Sequence, residues 1–176
     1  MDDLSSSMRR LSMREPESST WTLQGYDAML QQARDLLSGS EKTVYASLWS
    51  READRLKDTL VETTKRGVRV VLFSFTPLPE GAGQLLSYNI PEEELEAHWS
   101  HRIILLSDLR SALIGSAELG AETRSVVTTE PALVETAISN LVLDITLYGQ
   151  RIGEDTGLIV AGLTAQLAPI DDWLGS

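Results

Sequence analysis

From Tyr26 onward the apolar positions recur at helical spacing: Tyr26, Met29, Leu30, Ala33, Leu36 and Leu37 fall on one face. Gly25 precedes the run and Gly39 follows it, so the pattern predicts a helix between the two glycines. Next, TVYASLW (Thr43 to Trp49) is β-branched and aromatic and reads as a buried strand. Ser50 is the expected N-cap of a second helix, with Glu52 and Asp54 near its positive end. The apolar face of that helix is Ala53, Leu56 and Leu60 with the neighbouring Val61. Lys65 and Arg66 fill its last turn, and Gly67 stops it. Val68 to Phe75, VRVVLFSF, is the near-continuous apolar run of a strand covered on both faces. Strand, helix and strand in series imply a right-handed parallel crossover.

The second half changes character. Pro77, Pro79, Gly81 and Gly83, followed by the acidic PEEELE, read as a long surface insertion reaching Trp99. HRIILLSD and SALIGS are two short apolar runs split by Asp108, Leu109 and Arg110, which is a hairpin pattern. SVVTTE, Ser125 to Glu130, is another strand. Pro131 suits the first position of a helix carrying Val134, Ala137, Ile138, Leu141, Ile145 and Tyr148 on one face. The expectation is an α/β domain with a mixed, mostly parallel sheet flanked by helices. Residues 1–20 read as a linker or the remnant of a linker helix, residues 21–150 as the domain, and residues 151–176 as a tail or short helix.

Composition narrows the function classes. The chain has 176 residues, 42% of them apolar, and no cysteine, so it supports a core without a disulfide framework or thiolate chemistry. No uncharged apolar run approaches the ~20 residues of a spanning helix, and the first twenty residues lack the apolar segment of a signal peptide. The formal net charge of −11 sets the domain against direct contact with a phosphate backbone. There is no phosphate-binding glycine loop and no zinc-finger spacing. His98 and His101, near Glu94 and Glu96, have the residue types for a cation, but the segment reads more simply as a solvated acidic loop. No metal and no cofactor is expected.

One stretch carries a chemical signature. In SHRIILLSDLRSALIGSAEL, His101, Asp108, Gly115 and Ser116 match the spacing H-x-K-x4-D-x6-G-S-x-N of phospholipase D-type phosphodiesterases. Ile103 stands where that signature has lysine, and Glu118 where it has asparagine. Both lost groups are donors to phosphoryl oxygens, and losing one such donor typically costs ~10²–10³ in rate. Arg102 is adjacent, but neighbours on a strand point to opposite faces, so it does not stand in for the lysine. A two-histidine mechanism would also need a second copy of His101. Three readings stay open at this level: hydrolysis, a ligand site without hydrolysis, and a hydrogen-bonded turn. Trp49, Ser74 and Thr76 join the candidates because they follow the carboxyl ends of parallel strands, where ligand crevices form.

TWTLQGYDAMLQQARDLL, VYASLW, RGVRVVLFSF, HRIILLSDLRSALIG and SVVTTEPALVETAISNLVLDI together resemble the effector domain of TrmB-like transcriptional regulators, from about Trp21 to Tyr148. The resemblance implies a phospholipase D-like fold used for binding, with no catalytic residue. It also implies a small-molecule effector with sugars as the candidate class, a homodimer, and a cytoplasmic location. DNA contact would fall to a winged helix-turn-helix that this sequence does not contain. The sugar-binding extension of archaeal members has no counterpart after Tyr148, so no ligand residue is carried over from the family. The candidate ligand-binding set is therefore Trp49, Ser74, Thr76, His101, Asp108, Ser116 and Glu118. The alternative is a homodimeric phospholipase D-type phosphodiesterase or nuclease.

Overall fold

A computed structural model describes residues 18–167, so most of the expected N-terminal linker and the last nine residues lie outside it. The chain order is β1 (Thr20–Gln24), α1 (Tyr26–Gly39), β2 (Thr43–Ser47), α2 (Ser50–Lys65), β3 (Arg69–Ser74), β4 (Gln84–Ser87), α3 (Glu92–Glu96), β5 (Arg102–Ser107), β6 (Ser111–Ser116), β7 (Arg124–Thr128), α4 (Pro131–Ile152) and α5 (Gly157–Leu163). Seven strands form one sheet in the order β1-β7-β6-β5-β2-β3-β4.

The sheet is mixed, as expected, but parallel pairing is confined to β2 with β3 and β3 with β4. The other four pairings, β1–β7, β7–β6, β6–β5 and β5–β2, are antiparallel, so the sheet is not mostly parallel. The antiparallel excess comes from the β5–β6 hairpin, from its pairing with β2 and β7, and from β1 on the edge; β1 and the parallel edge strand β4 are the two strands the hydrophobic pattern hid. β1 exposes Thr20, Trp21, Thr22 and Gln24 on a sheet edge, with Leu23 half-buried, and no apolar run marks it. β4 lies inside the proline- and glycine-rich insertion, which adds an edge strand beside β3 and then the short helix α3 instead of looping over the surface.

Period-two alternation along the central strands feeds two cores. Val44, Ala46, Val70, Leu72, Ile103 and Leu105 pack beneath α1 and α2. Tyr45, Val71, Phe73, Ile104 and Leu106 pack against α4 and α5 on the opposite face. The predicted row of α4, from Val134 to Tyr148, is buried throughout. By length and composition α4 is apolar enough to cross a membrane, yet this row seats it on the sheet as a core helix.

Helix boundaries shift by a residue or two from the expected ones. Trp49 is the N-cap of α2, in an extended conformation, and Ser50 is the first helical residue. Ser50 still serves the helix start: its N–H donates to Thr76 Oγ1 at 2.7 Å and its hydroxyl to the Pro77 carbonyl at 2.8 Å. Val61 is only half-buried, while Glu52 and Thr63 are buried on the inner face of α2. Gly25, at φ 96°, turns the chain from β1 straight into α1. Its N–H donates to the Thr123 carbonyl at 2.7 Å.

The β5–β6 hairpin turns at Asp108 and Leu109, both at positive φ (52° and 54°), as a turn matched to the right-handed strand twist requires. Gly115 answers a different need. A Cβ there would lie 2.5 Å from Ser125 Cα on β7, so glycine is what lets the two strands approach.

Candidate functional site

The carboxyl ends of the parallel strands β2 and β3 and the first residue before β5 meet at one edge of the sheet. Chain geometry there is set by hydroxyls. Ser74 and Thr76 are fully buried; their side-chain oxygens are 3.0 Å apart, and Thr76 Oγ1 accepts the first N–H of α2. They fix the start of α2 and present nothing to solvent.

That start aims Arg51 and Glu52 at His101. Glu52 is a fully buried carboxylate on the inner face of α2, beside Ala53 and Leu56. It accepts from the Tyr26 hydroxyl at 2.7 Å, from Arg51 Nε at 3.1 Å and from His101 Nε2. Burial alone would push its carboxyl up. The hydrogen bonds from His101 and Tyr26, with the Arg51 charge, outweigh that and hold it below the ordinary range. Burial, and then the Glu52 carboxylate, push the Tyr26 hydroxyl well above its usual value.

His101 is 1% exposed. Trp49 stacks on its ring with centroids 4.1 Å apart. Its Nδ1 lies 2.8 Å from Arg51 Nη2, which also donates to the Ala117 carbonyl at 2.7 Å. A guanidinium only donates, so Nδ1 accepts and the ring proton sits on Nε2, given to Glu52. Both ring nitrogens are thus engaged. The His101 N–H donates to Glu118 Oε1 at 3.0 Å. Glu118 occupies the asparagine position of the signature and ties the end of β6 to the start of β5.

The insertion closes over this cluster. The Arg51 N–H donates to Glu92 Oε2 at 3.2 Å, and Arg51 Nη1 lies 3.5 Å from Glu96 Oε1 and 4.0 Å from Glu92 Oε1. Glu92 and Glu96 come from α3, one helical turn apart on one face.

The structure brings together Trp49, His101 and Glu118, with Ser74 and Thr76 behind them. It separates Asp108, which lies at the other end of β5, ~20 Å along a six-residue strand. There the Asp108 carboxylate accepts the N–H groups of Glu41, Lys42 and Thr43 at 3.0, 2.7 and 2.9 Å. Its partial burial would raise the carboxyl, but these three bonds hold it below the usual value. Ser116 stands beside the cluster across the sheet: it pairs with Arg102 on β5, and its Oγ accepts the Glu118 N–H at 3.2 Å. Ile103 is fully buried in the core beneath α1 and α2. Arg102 faces the α4 side, near Asp144, as strand alternation requires.

Tyr26, Arg51, Glu52 and Glu92 carry no signal in the spacing that led to His101. Arg51 and Glu52 stand in a first helical turn, where acidic and polar residues are ordinary. The one available hint was an acidic residue on the apolar face of α2, at i−1 from Ala53 and i−4 from Leu56.

With this geometry, known proteins can be compared. Solved structures superpose on the fold, among them the following. NucT from Helicobacter pylori does so with a TM-score of 0.55 at 9% identity, over 74% of this chain and 97% of that one. Nuc, a phospholipase D family member from Salmonella typhimurium, gives 0.52 at 13% identity, over 73% and 94%. TrmBL2, an archaeal chromatin protein described as showing a novel mode of DNA binding, gives 0.54 at 15% identity, over 80% of this chain. The chain spans 57% of the length of TrmBL2. At these identities the likeness establishes a phospholipase D-like fold. No curated protein matches at the level of sequence. A family model does: transcriptional regulator TrmB, N-terminal subdomain of the effector-binding domain, matches residues 19–143. The chain therefore belongs to the TrmB family of transcriptional regulators, as the N-terminal subdomain of the effector-binding domain.

Proposed function

We propose that this chain is the effector-sensing and dimerisation part of a TrmB-type regulator and does not hydrolyse phosphodiesters. The observation that carries the reading is the state of His101. Hydrolysis by a phospholipase D-type mechanism needs a histidine nitrogen free to attack phosphorus, and here Nδ1 is held by Arg51 and Nε2 by Glu52. The surroundings agree. Glu52, Glu92, Glu96 and Glu118 crowd the ring with Arg51 as the cation among them, and that balance repels a phosphate diester.

The effector enters at the edge formed by Trp49, His101 and Glu118, with Ser74 and Thr76 holding the wall behind them. Because Trp49 and His101 are buried, access requires α3 to move. A ligand that prefers the moved arrangement shifts the population towards it, and a coupling of ~1–3 kcal/mol is enough for a useful switch. Sugars are the first class to test, on family resemblance. DNA contact belongs to a separate helix-turn-helix, in keeping with the acidity of this domain and a cytoplasmic role.

Two measurements test this. A thermal-shift panel of mono- and disaccharides should contain a ligand that raises the melting temperature by mass action, and the rise should disappear in Trp49→Ala. Turnover of a generic phosphodiester that vanishes in His101→Ala would replace the reading with an enzymatic one.

A further inference from the structure

We propose that Glu92, Glu96 and Nδ1 of His101 form a binding site for a divalent metal ion of the zinc type, with the Arg51 guanidinium as its internal occupant. The three ligand atoms lie within 4.8 Å of one another. Nδ1 is 3.5 Å from Glu96 Oε1 and 3.8 Å from Glu92 Oε1. Zinc bonds of ~2.0–2.1 Å in a tetrahedral site place ligand atoms about 3.3–3.4 Å apart. Two of the three separations thus come within a few tenths of an ångström of coordination distances. The third closes by rotation of Glu96, whose side chain is 45% exposed.

The histidine is prepared as metal-bound histidines are. Its Nε2–H is given to the buried Glu52 carboxylate, which fixes the tautomer and leaves the Nδ1 lone pair, now met by Arg51, on the side where Glu92 and Glu96 stand. The Trp49 stack holds the ring in that orientation. The spot already holds a positive group: one guanidinium faces Glu52, Glu96 and Glu92 at 3.1, 3.5 and 4.0 Å. A divalent ion would bring twice that charge and accept the Nδ1 lone pair directly. Arg51 then swings out. Glu52 keeps its bonds to Tyr26 and His101. One nitrogen and two carboxylate oxygens with a fourth position open suit zinc better than calcium or magnesium, which favour all-oxygen shells. The glutamate at 92 replaces Glu94, and His98 takes no part, so the site differs from the cation cluster that spacing alone suggested.

The inference does not rest on the effector reading, because metal binding is measured on this chain directly. Titrate the chelator-treated protein with Zn²⁺ by calorimetry, and with Co²⁺ while following tryptophan fluorescence and visible absorption. The expected result is one saturable ion per chain, with quenching and tetrahedral cobalt bands. Glu96→Gln and Glu92→Gln should each weaken binding tenfold or more. Glu52→Gln should weaken it by ~10–100-fold, the usual effect of losing a ligand's supporting partner. Arg51→Gln should tighten it, since the competing cation is gone, an effect no purely structural role for Arg51 produces. Absence of saturable binding overturns the proposal. So does binding that Glu96→Gln leaves unchanged, and this exposed substitution is chosen because it leaves the core intact.

Discussion

Glu52 is the residue on which the cluster turns. It is fully buried and charged, and it accepts three donors from three different parts of the chain. Hydrogen bonds to a charged group contribute ~1.5–3 kcal/mol each to stability. Glu52→Gln should therefore cost about 2 kcal/mol at neutral pH in urea unfolding. Its carboxyl lies below the ordinary range in the folded state. The stabilisation is thus fully present above the unfolded value of about 4.3 and is lost as pH falls through the lower folded value. The wild type should lose stability steeply below about pH 4, and Glu52→Gln should lose less over the same window. Equal acid sensitivity of the two proteins would contradict the assignment. Asp108 titrates in the same direction for a different reason, three backbone donors. Asp108→Ala should cost about 1–3 kcal/mol in the same urea unfolding and leave the surroundings of Trp49 unaltered, since Trp49 stacks on His101 at the opposite end of β5.

At the scale of elements, legibility followed how local the cause was. α1 and the buried row of α4 were plain because their apolar faces repeat within one segment. The β5–β6 hairpin was plain because two apolar runs flank a short polar break. β1 was hidden because an edge strand can stay exposed along most of its length and needs no apolar run, and β4 because its four residues sit in a proline- and glycine-rich stretch. The site divided the same way. His101, Ser116 and Glu118 were picked out as candidates by spacing within one hairpin. Arg51 and Glu92 reach His101 only through the turn after β2 and the fold-back of the insertion, distances no window along the chain can register. Gly115 reads one way in the signature and another in the fold, where it is a packing requirement. Gly115→Ala should cost about 1–3 kcal/mol by overpacking against β7, read as a lower denaturation midpoint with an unchanged slope.

For the molecule as a whole, charge decides what it meets. A net charge of −11 on a domain of this size opposes duplex DNA at every face that is not locally basic. The isolated domain should leave labelled duplex unshifted in a gel at low ionic strength, where electrostatic binding is strongest. A shift that weakens with added salt would assign DNA contact to the domain itself. Two cores, one on each side of a seven-stranded sheet, share the central strands β2, β3 and β5.

The junction of β1 and α1 gives this architecture a mechanical reading. Among the described residues β1 is an edge strand paired with β7 alone, and a single glycine separates it from Tyr26, whose hydroxyl reaches Glu52. Tension applied to the chain before Thr20 would load the five-residue ladder to β7 first and, once that parted, would pass through Gly25 to Tyr26 and its bond to the carboxylate that holds His101. β1 is thus a strap laid along β7 whose far end is knotted close to the histidine cluster.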